Sequence, residues 1–584
     1  MSVAVDAVPW SGAQSWHVLD LSERAVARFV QWWHAWRTSS QRPDRLWFSI
    51  VAAQPTHAAA LLQGVGDDPA LQRLAQQLAP HGYGWVEGTH RIGLDHERVQ
   101  LTVHIGTVDR VLPTLDVAVD TVYAGLSSGD WARRIGRLCR TGTRLVLPSQ
   151  AAGAFHDWRS AGFEPCTPIA HLPSQADDWH AVYAPHWTVR PRLRQPAHPG
   201  HRRAVVVGAG LAGSSVAYSL ACRGWSVTVI DQGAHPAAGA SGLPAGIVAP
   251  HVSADDAPLS RLSRSGVRLT LQRAATLLCA GTDWAPTGVL AQCTEAAALP
   301  PLAAWASGWM DDWTRPATED ERAWSAPARH PAWWHSHAGW IRPHALVQAQ
   351  LAHPAIACQG SQRVHGLRRH PNGWTVADAQ GRTLADAPLL VLAAGFDTRQ
   401  LLHSGSVAGP LPPLHALRGQ VTWGPMSALP DDTRRLLPPF PVNGHGALVH
   451  SVPGPDGEPS WVLGSTFERG MAEAVIRSDD RAANLAKLQT LLPRVGQAMA
   501  PHVTQGNDWA GVRCTLPDRL PAVGYLDPVA LPGLALCTGL GARGLTLSVL
   551  CGEWLAALLD GEPWPTERVL ADKLSAQRWR NSAA

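Results

Sequence analysis

The stretch 204–222 contains no charged residue over nineteen positions, long enough for a helix to cross a bilayer. Its interior excludes that reading. A short apolar run at 204–207 ends in the glycines Gly208, Gly210 and Gly213 of GAGLAG, and a helical pattern then continues to Arg223. A second apolar run at 226–230 ends at Asp231, 18 residues beyond Gly213. This spacing predicts strand, tight turn, helix and parallel strand. Gly208 permits the turn, Gly210 admits a pyrophosphate against the backbone, and Gly213 lets helix and strand pack closely. The helix N-terminus offers oriented N–H groups to the phosphates, and Asp231 accepts hydrogen bonds from the ribose hydroxyls.

Further small-residue turns extend this site beyond a nicotinamide dinucleotide. Ser241 and Gly242 lie in GASG, Gly246 follows closely, and Gly395 ends the strand-like run LVLAAG. Near the C-terminus, TGLGARGLT supplies Gly539, Gly541, Gly544, Leu545 and Thr546 ahead of an apolar helix. A glycine-rich loop at a helix N-terminus stabilises the negative charge that develops on a reduced flavin ring. Turns dispersed so widely suit FAD in an extended form, so FAD is the expected cofactor.

Charge and cysteine usage narrow the rest. The chain has 584 residues, and its net charge of +3 is too small to indicate a disordered polyelectrolyte. Of the 49 basic residues only Lys487 and Lys573 are lysine, a bias that points first to genome composition. The nine cysteines include no C-x-x-C pair, which argues against a disulfide framework or a zinc knuckle. Cys139, Cys222 and Cys551 sit in helix-like apolar contexts, where a buried inert thiol is expected. The N-terminal segment lacks the charged and apolar regions of a signal peptide, so a soluble cytoplasmic protein is expected, with no membrane partner.

The run 190–203, RPRLRQPAHPGHRR, combines proline and arginine without apolar periodicity and reads as a linker. The expected organisation is a first domain at 1–189, a basic linker at 190–203 and a second domain at 204–584. In the first domain, strand-like runs at 46–52, 99–105, 117–123 and 144–147 alternate with helical patterns at 23–37, 71–78 and 131–140. That alternation predicts a doubly wound parallel sheet.

The second domain resembles the FAD-dependent amine oxidoreductases of the glycine, sarcosine and D-amino-acid oxidase superfamily. It is similar above all to the oxidase half of the MnmC family, bifunctional enzymes that modify the wobble uridine of certain tRNAs. The stretches carrying the resemblance include VVVGAGLAGSSVAYSLACRGWSVTVID, GASGLPAGIVAP, GWIRPHALV, LRGQVTW, GSTFERG, GVRCTLPDRLPAVG and GLGARGLTLSVLCGEWLAALLDGEP. Leu243 departs from it, standing where the family tends to have asparagine. The resemblance implies an α/β protein: a Rossmann-like, methyltransferase-type fold, then an FAD-binding Rossmann-type domain with an inserted α+β substrate domain. It also implies oxidation of the secondary amine of a carboxymethylaminomethyl group on the wobble uridine of a tRNA anticodon loop, releasing glyoxylate.

Such a substrate needs a cation for its carboxylate and a deprotonated amine. Arg513 and Arg543 fit the first need and align with positions where related amine oxidases bind substrate; Asp518 is the alternative partner for Arg513. His251, after the second glycine-rich segment, either faces the flavin or is an ordinary satisfied polar residue, and the second is the commoner case.

The first domain aligns with the family's methyltransferase half but lacks its chemistry. Where that half has E-x-G-F-G-T-G-x-N, this chain reads Asp20 to Arg28, with Ser22, Arg24 and Val26 at the three glycine positions. Ala52 stands where an acidic residue would hold a ribose, and 124–128 carries no aspartate in the acceptor loop. S-adenosylmethionine is therefore not expected as a cofactor, and methylation is expected to be lost. Two alternatives stay open: a fully bifunctional enzyme that also methylates the aminomethyl group, and a small-molecule amine or amino-acid oxidase that does not act on RNA. No RNA-binding module is recognisable, and the chain is expected to act as a monomer.

Overall fold

The computed structural model describes residues 9–10, 12–54, 64–125, 129–148, 155–168, 173–174, 177–188, 202–293, 310–325, 331–405, 407 and 409–581. Most of the expected linker, 190–201, and part of the 124–128 loop lie outside them. The chain forms two compact units: Met1–Ala197 with Ala557–Arg568, and His198–Ala556 with Val569–Ala584. The segment Ala557–Arg568 groups with the first unit.

In the first unit, an eight-stranded sheet has five parallel strands at its centre. These are Val99–Ile105, Arg45–Ala52, Ser15–Asp20, Val119–Tyr123 and Cys139–Leu147, in that spatial order. Gly88–Leu94 closes one edge antiparallel, and Trp179–Tyr183 followed by Phe163–Pro165 closes the other. The sheet is therefore mixed rather than all parallel. The strand order reverses beside Ser15–Asp20, which places a topological switch point at its carboxyl end. The expected helix at 131–140 is corrected: the helix is Gly129–Gly136, and Cys139 opens a strand. Its thiol is buried as expected, and burial pushes its pKa up.

The second unit places the glycine-rich turns at one edge of a six-stranded sheet. Ile356–Gln359, Ser226–Ile230, Arg203–Val207, Leu389–Leu392 and Leu534–Thr538 run parallel, and Ala522–Tyr525 is antiparallel. The stretch 204–222 is strand Arg203–Val207 and helix Leu211–Ala221, whose eleven residues are all buried. A nine-stranded sheet inserted between these elements is built around His415–Pro425 and Asn507–Thr515, and the helices Ser478–Leu491 and Pro493–Thr504 belong to the same insertion. Among the described residues one helix, Gly541–Asp560, is long and apolar enough to cross a membrane, but 78% of its apolar window is buried inside the protein. It carries Glu553, which pairs with Arg223 at 3.0 Å and Arg273 at 2.8 Å, all three side chains being buried. A buried carboxylate held by two guanidinium groups marks a core helix of a folded domain.

Candidate active site

Four parallel strands of the second unit end in the segments expected to bind the cofactor. Arg203–Val207 leads into Gly208, Ser226–Ile230 into Asp231, Leu389–Leu392 into Gly395, and Leu534–Thr538 into Gly539. Ligands of open α/β sheets bind outside these carboxyl ends. Gly208 has φ 110°, a conformation side chains rarely adopt, and a Cβ on Gly213 would overlap the Gly208 carbonyl oxygen. The Asp231 carboxylate accepts from the Ala209 N–H at 2.6 Å and the Gly233 N–H at 2.7 Å. With two oxygens and four lone-pair directions, it retains acceptor capacity for a ribose.

Segments distant in sequence converge here. Ser241 Oγ accepts from the Leu211 N–H at 3.0 Å, which ties GASG to the start of the fingerprint helix and places it against Gly210. Gly242 lies against the Trp509 indole, Gly246 against the side chain of Leu545, and Gly544 against Leu211. Thr538 Oγ1 donates to the Gly395 carbonyl at 3.0 Å, joining two adjacent strand ends. Added Cβ atoms at Gly208, Gly210 and Gly246 would meet neighbouring protein atoms within 3 Å, so these turns pack as closely as only glycine allows, a backbone-lined cradle compatible with an extended dinucleotide.

Beside this crevice is a cavity of about 910 Å3, lined among others by Gly246, Gly541, Thr546, Arg513 and Arg543. Among the described residues, four arginines and two histidines line it, and no aspartate or glutamate does. Arg513 projects from Asn507–Thr515, donates from Nη2 to the Thr466 carbonyl at 3.1 Å, and lies 4.5 Å from the Phe467 ring centroid. Asp518 is not its partner: that carboxylate is engaged by Arg578 at 2.9 Å. Burial pushes the Arg513 guanidinium down to about 10, so it remains a cation at neutral pH. Arg543, in the turn Gly541–Arg543, is also lowered, first by burial and then by the charge of Arg519. Neither arginine forms an ion pair among the described residues. Two such cations lining one cavity, with no carboxylate paired to either among the described residues, favour an anion there.

His251 lines the same cavity. Its Nδ1 lies 3.1 Å from Ser260 Oγ, and its backbone N–H donates to Ser263 Oγ at 2.8 Å. Burial, then the charges of Arg543 and Arg519, push its pKa down to about 4, so the ring is neutral at pH 7. Leu243 also lines the cavity, adding apolar surface. Arg519, Arg469, Phe467 and Gly419 also line the cavity; they lie within GSTFERG, LRGQVTW and GVRCTLPDRLPAVG, where no spacing in the sequence marks them individually.

The first unit shows a different arrangement at its switch point. Asp20 is fully buried at the end of Ser15–Asp20, and Arg28 donates to it at 2.6 Å. Ser22 donates to the same carboxylate through its N–H and hydroxyl, and the Arg28 guanidinium lies 4.1 Å from the Tyr123 ring centroid. The loop where three glycines would admit a ligand is thus drawn inward by its own side chains.

Comparisons with known proteins agree with this architecture. Residues 203–558 match the family of FAD dependent oxidoreductases. Over 97% of its length the chain is 43% identical to a tRNA 5-methylaminomethyl-2-thiouridine biosynthesis bifunctional protein MnmC from Polaromonas sp., covering 91% of that protein. It is 42% identical to the MnmC of Verminephrobacter eiseniae, over 97% of both chains. Among solved structures it is similar in fold to glycine oxidase from Geobacillus kaustophilus, with 20% identity and a TM-score of 0.53, over 65% of this chain and 99% of that one.

Proposed function

The chain belongs to the MnmC family of tRNA-modifying proteins, with an FAD-dependent oxidoreductase region, and on that premise we propose a specific reaction for its second unit. It removes the carboxymethyl group from 5-carboxymethylaminomethyluridine, or its 2-thio form, at the wobble position of tRNA, and leaves the 5-aminomethyl nucleoside. The observation supporting this reading is the placement of Arg513 and Arg543, unpaired by any described carboxylate, beside the glycine-rich cradle.

When bound, FAD supplies the two-electron oxidation of the substrate's C–N bond, whose imine product takes up water and releases glyoxylate. The cradle from Gly208 to Gly246, with Asp231 and the turns at Gly395 and Gly539–Thr546, would hold that cofactor. Arg513 and Arg543 bind the substrate carboxylate with their guanidinium forks and so fix the adjacent methylene. Their positive field also disfavours an ammonium nearby, which keeps the substrate amine in the neutral form that oxidation requires. His251 is uncharged at pH 7 and does not contribute to that field.

The first unit we read as a methyltransferase fold that has lost its activity. The ion pair of Arg28 with Asp20 supports this, as do Ser22, Arg24 and Val26 in place of glycines. On this reading the chain differs from the bifunctional activity in its relatives' names.

The deciding measurement uses tRNA from cells unable to process the carboxymethylaminomethyl group. Incubation with FAD-loaded protein, digestion and chromatography of the nucleosides should show the aminomethyl form and one glyoxylate per uridine converted. Oxidation of glycine or sarcosine with no change in the tRNA would overturn the reading in favour of a small-molecule amine oxidase.

A further inference from the structure

The cavity carries more positive charge than one carboxylate requires. Arg469 and Arg519 also line it, both exposed, while Arg513 and Arg543 are half-buried. The acids next to them in sequence are already engaged. Glu468 is held by Arg477 at 2.9 Å and approached by Arg418 at 3.5 Å, and Asp518 is held by Arg578. Arg519 also has φ 61°, a conformation that a residue other than glycine adopts at a cost.

Phe467 lines the same cavity and is 57% exposed. Its ring is approached by two cations, Arg513 at 4.5 Å and Lys487 at 5.5 Å from the centroid. Lys487 is itself positioned by donating to the Ser465 carbonyl at 2.7 Å. A large aromatic held at a cavity mouth by cation–π contacts, with much of its surface open, offers a flat face to an incoming ring.

We propose that Phe467, Arg469 and Arg519 form a nucleotide-recognition rim. Phe467 stacks against the uracil base of the splayed-out wobble nucleotide, and the two guanidinium groups contact its flanking phosphates. This rests on the tRNA reading above, and it supplies what the sequence lacked, a surface for RNA. RNA loops are read by stacking unpaired bases on aromatic side chains, and phosphates by guanidinium forks. The two exposed arginines therefore set substrate class, while Arg513 and Arg543 serve the carboxylate.

The test uses the full-length FAD-loaded protein and tRNA bearing carboxymethylaminomethyluridine. Phe467→Ala is expected to raise KM for this tRNA about tenfold, with the loss falling on KM rather than kcat, while Phe467→Trp stays close to the parent. The double variant Arg469→Gln/Arg519→Gln is expected to weaken tRNA binding and to flatten the salt dependence of log Kd by about 1.4, at roughly 0.7 per phosphate contact on a single strand. The flavin absorbance and melting temperature of each variant report folding. If the parent converts tRNA but Phe467→Ala keeps its KM, or Phe467→Trp fails as badly as alanine, the rim is overturned and the tRNA reading stands. If the parent oxidises N-ethylglycine, a carboxymethylamine without a base, but never tRNA, both fall together.

Discussion

Gly419 and Arg513 lie diagonally on neighbouring antiparallel strands, Leu417 facing Arg513 and Gly419 facing Gly511. A side chain at position 419 would point to the same face as Arg513. A Cβ there would overlap the guanidinium and approach the Thr466 carbonyl oxygen at 2.7 Å. The missing side chain on one strand is therefore what lets the arginine of the next lie across the sheet, toward the cavity and the Phe467 ring.

Gly419→Ala should consequently behave as a substrate-binding variant, although position 419 bears no functional group. The expected result is a fall in kcat/KM of about tenfold to a hundredfold, the scale of a lost charge-assisted hydrogen bond. Arg513→Ala should match or exceed it. Arg513→Lys should not recover the parent value, since an ammonium cannot form the bidentate fork. Steady-state kinetics with bound flavin quantified by absorbance provide the check, and a fully active Gly419→Ala enzyme would refute the packing argument.

The unequal legibility of the sequence has a physical cause. Gly208 and Gly213 could be read directly because a backbone conformation and a close approach each exclude a side chain, so need and residue identity coincide. Gly419 satisfies the same kind of need, but across a strand pair whose register is invisible in one dimension. Arg519 and Phe467 likewise acquire meaning only when the sheet folds them to one cavity mouth. Strand Ser15–Asp20 was missed because His17 breaks its apolar run. The structure buries that histidine, with Nδ1 2.9 Å from the Ala118 carbonyl and Nε2 2.8 Å from Ser49 Oγ. In Gly88–Leu94, buried Arg91 donates from its two terminal nitrogens to Gln100 and to the Pro563 carbonyl at 2.7 Å, partners that only the fold supplies. The helix stops at Gly136, a residue that favours helix ends, whereas the apolar spacing runs on through Ile135, Leu138 and Cys139; the strand that begins at Cys139 is set by pairing with Val119–Tyr123.

The buried histidines predict acid sensitivity. Burial lowers His17 and His335 to about 4 from an ordinary value of 6.5. Between those values the unfolded chain binds a proton that the folded chain does not. The stability involved is fully present above pH 6.5, declines as the pH falls toward 4, and is constant below. Each group accounts for roughly 3 kcal/mol over that window. Melting temperatures recorded from pH 7.5 to 4.5 should fall, and His335→Gln should flatten the profile. A variant profile parallel to the parent would rule out the assignment.

The Arg28–Asp20 pair predicts both a stability effect and a binding result. Arg28→Ala leaves a fully buried carboxylate with only the Ser22 donors, and should destabilise the first unit by about 3 kcal/mol. Urea unfolding at pH 7 measures this. S-adenosylmethionine at millimolar concentration should leave the melting temperature of the parent unchanged. A ligand present at a hundred times its Kd would add about 2.7 kcal/mol, a shift that calorimetry resolves and that would restore the bifunctional reading.

Asp231 gives the most direct test of the cofactor cradle. Its two oxygens already hold the Ala209 and Gly233 N–H groups, so Asp231→Asn keeps one acceptor oxygen while placing an amide NH2 against the other donor. The turn is strained but not deleted, and the negative charge facing a ribose is removed. FAD affinity should fall by about tenfold to a hundredfold, the range for a charged hydrogen bond. Gly213→Ala is the harsher control. Its methyl group would collide with the Gly208 carbonyl, which no rotamer change can relieve, and the protein should purify without flavin absorbance. Fluorescence titration of the apoprotein with FAD separates the two outcomes: Asp231→Asn should regain the yellow form at high cofactor concentration, and Gly213→Ala should not. An Asp231→Asn protein that binds FAD as tightly as the parent would remove Asp231 from the site.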